Sequence, residues 1–178
     1  MQYEFGFGLS YSTFGIGNVS ISGASDGPVA SSCPGSSASN ATSVTPPPGG
    51  NAALWQTIYT ISASVSNTGQ VAGAAVPQLY LGLPQPANED VTPVKVLRGF
   101  EKIALQPGES KTVGFPLMRR DLSYWDIDQQ QWIIGDDEIK VYAGFSSRDI
   151  RAEASFKPVG GDGKKKKRRV LEKRWGGL

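Results

Sequence analysis

Histidine is absent from the 178 residues, and cysteine occurs once. Without histidine there is no imidazole to act as general base, to complete a Ser-His-Asp or Cys-His constellation, or to ligate a metal. The lone Cys33 has no partner for an internal disulfide. It sits among Ser, Gly and Pro, with no neighbouring cation to lower its pKa, and reads as a free loop thiol rather than a nucleophile. Long apolar runs are also lacking. None approaches the ~20 residues of a membrane-spanning helix. The first residues, Met1, Gln2, Tyr3 and Glu4, form neither the basic nor the apolar region of a signal peptide, so none is expected in the sequence as written. No helical period persists for three turns, and no internal repeat is visible.

What is present is turn-forming and extended. Gly occurs 22 times and Pro 12 times, a composition of loops and short strands. The best strand covers 57–67: Tyr59, Ile61, Ala63 and Val65 alternate with Thr60, Ser62, Ser64 and Ser66, one face for a core and one for water. Asn67, Thr68 and Gly69 supply a turn. A run from Ala75 to Leu83 puts Leu79, Leu81 and Leu83 on one face, with Pro77 marking a bulge or sheet edge. Pro84, Pro86, Asn88 and Pro93 belong to a loop. Val94 to Leu105 reads as one further strand, ended by the turn Gln106-Pro107-Gly108-Glu109, in which Gly supplies a positive φ. Val113, Phe115 and Leu117 alternate inward. Residues 119–128 show no period and read as a corner between sheets. Trp132–Ile134, Ile139–Phe145 and Ala152–Phe156 complete the set, with Val19 and Ile21 in a first short strand. About seven strands at this spacing predict an all-β sandwich of the immunoglobulin or fibronectin type III kind. Pro77, Lys95, Arg98 and Lys102 would protect its edges.

Two segments stand apart. Residues 23–53, with Pro46, Pro47 and Pro48 before Gly49 and Gly50, predict a long flexible insertion within a domain spanning 1–156. Residues 157–178 carry nine Lys or Arg against Asp162 and Glu172, a charge of +7, while the rest of the chain carries −5. This predicts a disordered basic tail on an acidic body. The run Lys164–Arg169 can be read as a nuclear-localisation or nucleic-acid patch. It can also be read as an anchor for an anionic membrane, at roughly 1 kcal/mol per cation. The third reading, a charged extension or sequence from beyond a gene boundary, is the one we expect, and no nucleic-acid or membrane partner follows from it.

Few residues suggest chemistry. Asp126 and Asp128 share a face of an extended segment, yet lack the further oxygen ligands of a calcium loop, and we expect a solvated or ion-paired corner. Arg119 or Arg120 beside Asp121 or Asp126 would act as a brace. Asp136, Asp137 and Glu138 are expected to be exposed in a turn. Tyr124, Trp125 and Trp132 could stack on sugar rings or fill the core and domain contacts, and packing is the expectation. The aromatic segment Tyr3, Phe5, Phe7, Tyr11, Phe14 could dock on a neighbouring domain or close a sheet. Asn18 with Ser20, and Asn40 with Thr42, fit the N-glycosylation pattern. No residue is assigned to catalysis, to a cofactor or to a metal.

Four stretches carry a family resemblance. They are Phe5-Gly-Phe-Gly-Leu-Ser-Tyr-Ser-Thr-Phe14, then Val65-Ser-Asn-Thr-Gly69 with Val76-Pro-Gln-Leu-Tyr80, then Leu97-Arg-Gly-Phe100 with Leu105-Gln-Pro-Gly-Glu109, and finally Arg119-Arg-Asp-Leu-Ser-Tyr-Trp-Asp126 with Val141-Tyr-Ala-Gly-Phe-Ser-Ser-Arg148. Together they resemble the C-terminal fibronectin type III-like domain of fungal glycoside hydrolase family 3 β-glucosidases. The resemblance implies an accessory, stabilising domain present as a fragment. The parent enzyme would hydrolyse terminal β-glucosyl residues in polysaccharide breakdown and would be secreted. Retaining hydrolysis needs two carboxyl groups ~5 Å apart. In that family they lie in the preceding barrel and α/β domains, so none carries over to this chain. The partners implied are those catalytic domains in cis, with a polysaccharide or lignin surface as the alternative.

Overall fold

Alternation builds the first sheet. In a computed structural model that describes residues 3–23, 51–84, 93–126 and 130–158, β2 (Thr57–Asn67) buries Ile61, Ala63 and Val65 completely and leaves the intervening Thr and Ser half-covered. It lies between β1 (Phe14–Gly23) and β7 (Ser110–Met118), antiparallel to both. β7 turns Val113, Phe115 and Leu117 to the same core.

The facing sheet has the order β11-β10-β4-β5, with β4 (Gln78–Gly82), β5 (Val96–Phe100), β10 (Ile139–Gly144) and β11 (Ile150–Phe156). Leu79 and Leu81 of β4 and Ile139, Val141 and Ala143 of β10 face the first sheet. Burial of each large aliphatic side chain contributes roughly 1.5–3 kcal/mol against the chain entropy. Three strands against four is the sandwich expected from the periodicity, and the fold is all-β. Two small ribbons are added: β3 (Gly73–Ala75) with β6 (Ile103–Leu105), and β8 (Ser123–Asp126) with β9 (Gln131–Ile134). A single 3-10 turn, Ala52–Trp55, precedes β2, and a helical turn, Arg119–Leu122, follows β7.

The structure differs from the expected strands in four places. The first strand is not short: β1 takes in Phe14 and Ile16 as well as Val19 and Ile21, across a bulge that breaks the period of two. The run 75–83 is two strands: Pro77, buried, sits at the junction of β3 and β4, where its carbonyl accepts from the Glu101 amide (3.2 Å). Proline cannot donate to a ladder, so the chain changes sheets there, and β4 is an inner strand rather than an edge. The run 94–105 likewise divides into β5 and β6, with Glu101 and Lys102 at the crossing. Part of the corner at 119–128 is ordered as the helical turn and β8. The turn after β6 is as expected: Gly108 has φ +76° and the Glu109 amide donates to the Gln106 carbonyl (3.0 Å). The greater part of the 23–53 insertion, Cys33, Asn40, Asp128, residues 85–92 and the tail beyond Pro158 lie outside the described residues.

Candidate docking surface

Every residue from Gln78 to Leu81 is buried, although alternation predicts that only Leu79 and Leu81 should be. The cause is a second layer. Residues 3–9 lie across the outer face of the four-stranded sheet, above Gln78 and Tyr80. Gln78 Nε2 donates to the carbonyls of Gly6 and Phe145 (2.8 Å each), and the Tyr80 hydroxyl donates to Gln78 Oε1. The Ser147 amide donates to the Phe5 carbonyl (2.9 Å). Ser146 Oγ donates to Glu4 Oε1 (2.8 Å) and accepts from the Asp149 amide (2.9 Å). Gly6 is at φ +80°, and a Cβ there would overlap Gln78 Oε1 and stand 2.9 Å from the Tyr80 hydroxyl. Only glycine satisfies both the conformation and the space. Burial under this strap raises the Tyr80 pKa above its ordinary value of 10.0.

The strap is held through its backbone and the Glu4 carboxylate, and most of its apolar side chains stay exposed. Tyr3 is 67% exposed, Phe5 65%, Leu9 90%, and Tyr11 fully. Tyr3 and Phe7 stack with ring centres 4.8 Å apart. Phe100, the Cα partner of Gln78 on the same face, is also exposed. Between strap and sheet is a cleft of about 420 Å³ lined by Phe5, Tyr80, Lys95 and Leu97 among others. Lys95 Nζ donates to the Ser147 carbonyl at its rim (2.8 Å) and lies 5.4 Å above the Tyr142 ring. These exposed rings gather on one face of a small domain and make it the candidate interaction surface.

The aromatic corner is a different kind of place. Trp125 and Trp132 are Cα partners in the β8–β9 ribbon and meet edge to face, 5.7 Å apart with planes at 72°. Such a pair stabilises itself; it is not a coplanar platform. Tyr124 is half-buried, and its pKa is raised by burial and then by Asp126, Asp136 and Asp137. Nearby, the Arg120 guanidinium lies 4.1 Å over the Trp55 ring and 3.9 Å from Asp121, whose other oxygen accepts from the Met118 amide (2.8 Å). Arg119 is buried, with its amide on the Gln56 carbonyl and its own carbonyl accepting from Ser123 Oγ. Asp136, Asp137 and Glu138 are exposed. Asn18 is exposed at a bulge of β1. Among the described residues, no group of three or more Asp, Glu or Cys side chains is arranged to hold a metal ion.

Sequence reasoning identified the aromatic segment but not its clasp. A glutamine inside an apolar strand, Gln78, was the available signal, since a buried amide requires partners.

Comparison with known proteins agrees with the fold. Residues 75–147 match the sequence profile of the fibronectin type III-like domain. The probable β-glucosidase G of Aspergillus flavus is 50% identical over 157 residues, covering 88% of this chain and 18% of that protein. Among solved structures, the β-D-glucoside glucohydrolase of Trichoderma reesei superposes with a TM-score of 0.72 at 38% identity, over 87% of this chain and 20% of that one. A glycoside hydrolase family 3 β-glucosidase of Neurospora crassa gives 0.70 at 31%, over 87% and 26%. The chain therefore spans about a fifth of the length of the relatives it matches. Residues 75–147 are thus similar to a fibronectin type III-like domain, and the chain as a whole is similar to one part of family 3 β-glucosidases.

Proposed function

We propose that this chain is a non-catalytic accessory domain, spanning 1–156, of a secreted family 3 β-glucosidase, and that it packs against the catalytic domains in cis and stabilises them. The parent enzyme would remove terminal β-glucosyl units; the domain would take no part in bond cleavage. One observation carries this reading: an aromatic strap is clasped at Phe5 and Gly6 to the outer sheet face, while Tyr3, Phe5 and Leu9, and Tyr11 just beyond it, stay largely exposed. A protein does not fix exposed rings in place unless something covers them, because each exposed ring forgoes roughly 1.5–3 kcal/mol of burial.

The test is association in trans. The Aspergillus flavus relative, shortened to end before its matching segment, is mixed with the chain and titrated calorimetrically. Binding with a negative heat-capacity change, weakened at least about tenfold by Tyr3→Ser with Phe5→Ser, supports the proposal. Absence of binding, or binding indifferent to the strap and removed instead by Trp125→Ala, would replace it with a different docking face.

A further inference from the structure

The inward-facing residues of β1 do not keep a period of two. Phe14, Ile16, Val19 and Ile21 all pack on the core, so the spacing between Ile16 and Val19 is three. One residue must be extruded there. Register jumps between Gly17, opposite Ser64, and Ser20, opposite Ser62, and Asn18 takes φ +48°. A bulge leaves the extra residue outside the ladder and outside the core, and asparagine tolerates the left-handed conformation better than most residues. Asn18 is exposed and so is Ser20. β1 is also an edge strand of its sheet, and the strap covers the other sheet's outer face. A large polar adduct here would therefore be solvated, would leave the aromatic face clear, and would shield an open sheet edge.

We propose that Asn18, in the sequon Asn18-Val19-Ser20, is an N-glycosylation site, carrying an oligosaccharide transferred in the secretory pathway. In that step Asn18 Nδ2 loses a proton and bonds to C1 of the first N-acetylglucosamine. The bond from C1 to oxygen of a dolichyl-diphosphate-linked oligosaccharide breaks, and dolichyl diphosphate leaves. The inference rests on the proposed secretion of the parent. The bulge alone would favour Asn or Gly at this position without any glycan, so the test must separate backbone need from modification.

The full 178-residue chain is produced in yeast behind a cleavable secretory leader, and both the medium and the membrane-enclosed fraction are collected. Peptides covering Asn18 are analysed by mass spectrometry after endoglycosidase H trimming. We expect the Asn18 peptide to retain one N-acetylglucosamine in most molecules. The modification should vanish in Ser20→Ala, which leaves the bulge residue untouched, and in Asn18→Gly, which keeps the left-handed conformation; it should persist in Asn40→Gln. An unmodified Asn18 in translocated protein overturns the site. Because the leader enforces translocation, that result leaves the accessory-domain reading standing, whereas failure of strap-dependent association leaves the glycan site standing.

Discussion

Asn67 reads in the sequence as the first residue of a turn, and in the fold it joins four segments. Its Oδ1 accepts from Ser12 Oγ (2.7 Å) and the Gly69 amide (3.0 Å), and its Nδ2 donates to the carbonyls of Val71 (2.9 Å) and Leu105 (3.1 Å). Its side chain is fully buried. Asn67→Ala removes the partner of two carbonyls and a hydroxyl, while the Gly69 amide keeps the Thr13 carbonyl (3.2 Å), so a loss of about 2–4 kcal/mol is expected, read as a lower urea midpoint with unchanged slope. A change under about 0.5 kcal/mol, the range of ordinary surface substitutions, would mean the network is dispensable. Tyrosines supply a second residue-scale expectation. Burial raises the pKa of Tyr59, Tyr80 and Tyr124 above 10.0. The unfolded chain therefore loses these phenolic protons first, so their contribution is complete below pH 10 and is lost as pH rises through the raised values. Unfolding free energy should fall above about pH 10, and tyrosinate absorbance should appear in a late step that coincides with it. Titration of all six tyrosines as one population near 10 would contradict this.

Among the elements, regular alternation was legible and its interruptions were not. β2 and the inward face of β7 follow from a period of two, and Gly108 from the turn chemistry around it. The division of 75–83 and 94–105 was hidden because Pro77, Glu101 and Lys102 each suit both a strand edge and a crossing between sheets; only three-dimensional pairing separates the two. The lower boundary of β1 was hidden for a related reason: the bulge at Asn18 breaks the period, so Phe14 looked like part of the aromatic segment, detached from Val19 and Ile21. The strap was legible as an aromatic segment with two possible fates. Its clasp was not, because Gln78, Ser146 and Gly6 are far apart in sequence and carry no shared pattern. Gly6→Ala should release it while the sandwich stays folded. The measurement is hydrogen exchange at the Ser147 amide, which donates to the Phe5 carbonyl. Protection there should fall at least about tenfold, while the β2 and β10 amides keep theirs. Equal loss across all strands would show that the strap is part of the core.

At the scale of the whole molecule, the two sheets have different surroundings. The outer face of the four-stranded sheet carries the strap and its exposed rings, while the edge of the other carries the bulged Asn18. The Trp125–Trp132 pair, with Arg120 over Trp55 near it, forms a separate group around the β8–β9 ribbon and the helical turn. If those rings serve local packing, Trp125→Ala should cost stability of about 0.5–1.5 kcal/mol from the ring pair alone and leave association with the catalytic domains intact. Thermal unfolding of a fusion shows whether the strap face is covered. This domain replaces the matching segment of the Aspergillus flavus relative, and the fusion is compared with its Tyr3→Ser, Phe5→Ser, Leu9→Ser variant. If the catalytic domains cover the strap, the triple variant melts at a lower temperature in the fusion and at an unchanged or higher one in the isolated chain, where the same rings meet only water. Equal melting temperatures in the fusion would contradict it, and would mean that the exposed aromatic face covers nothing.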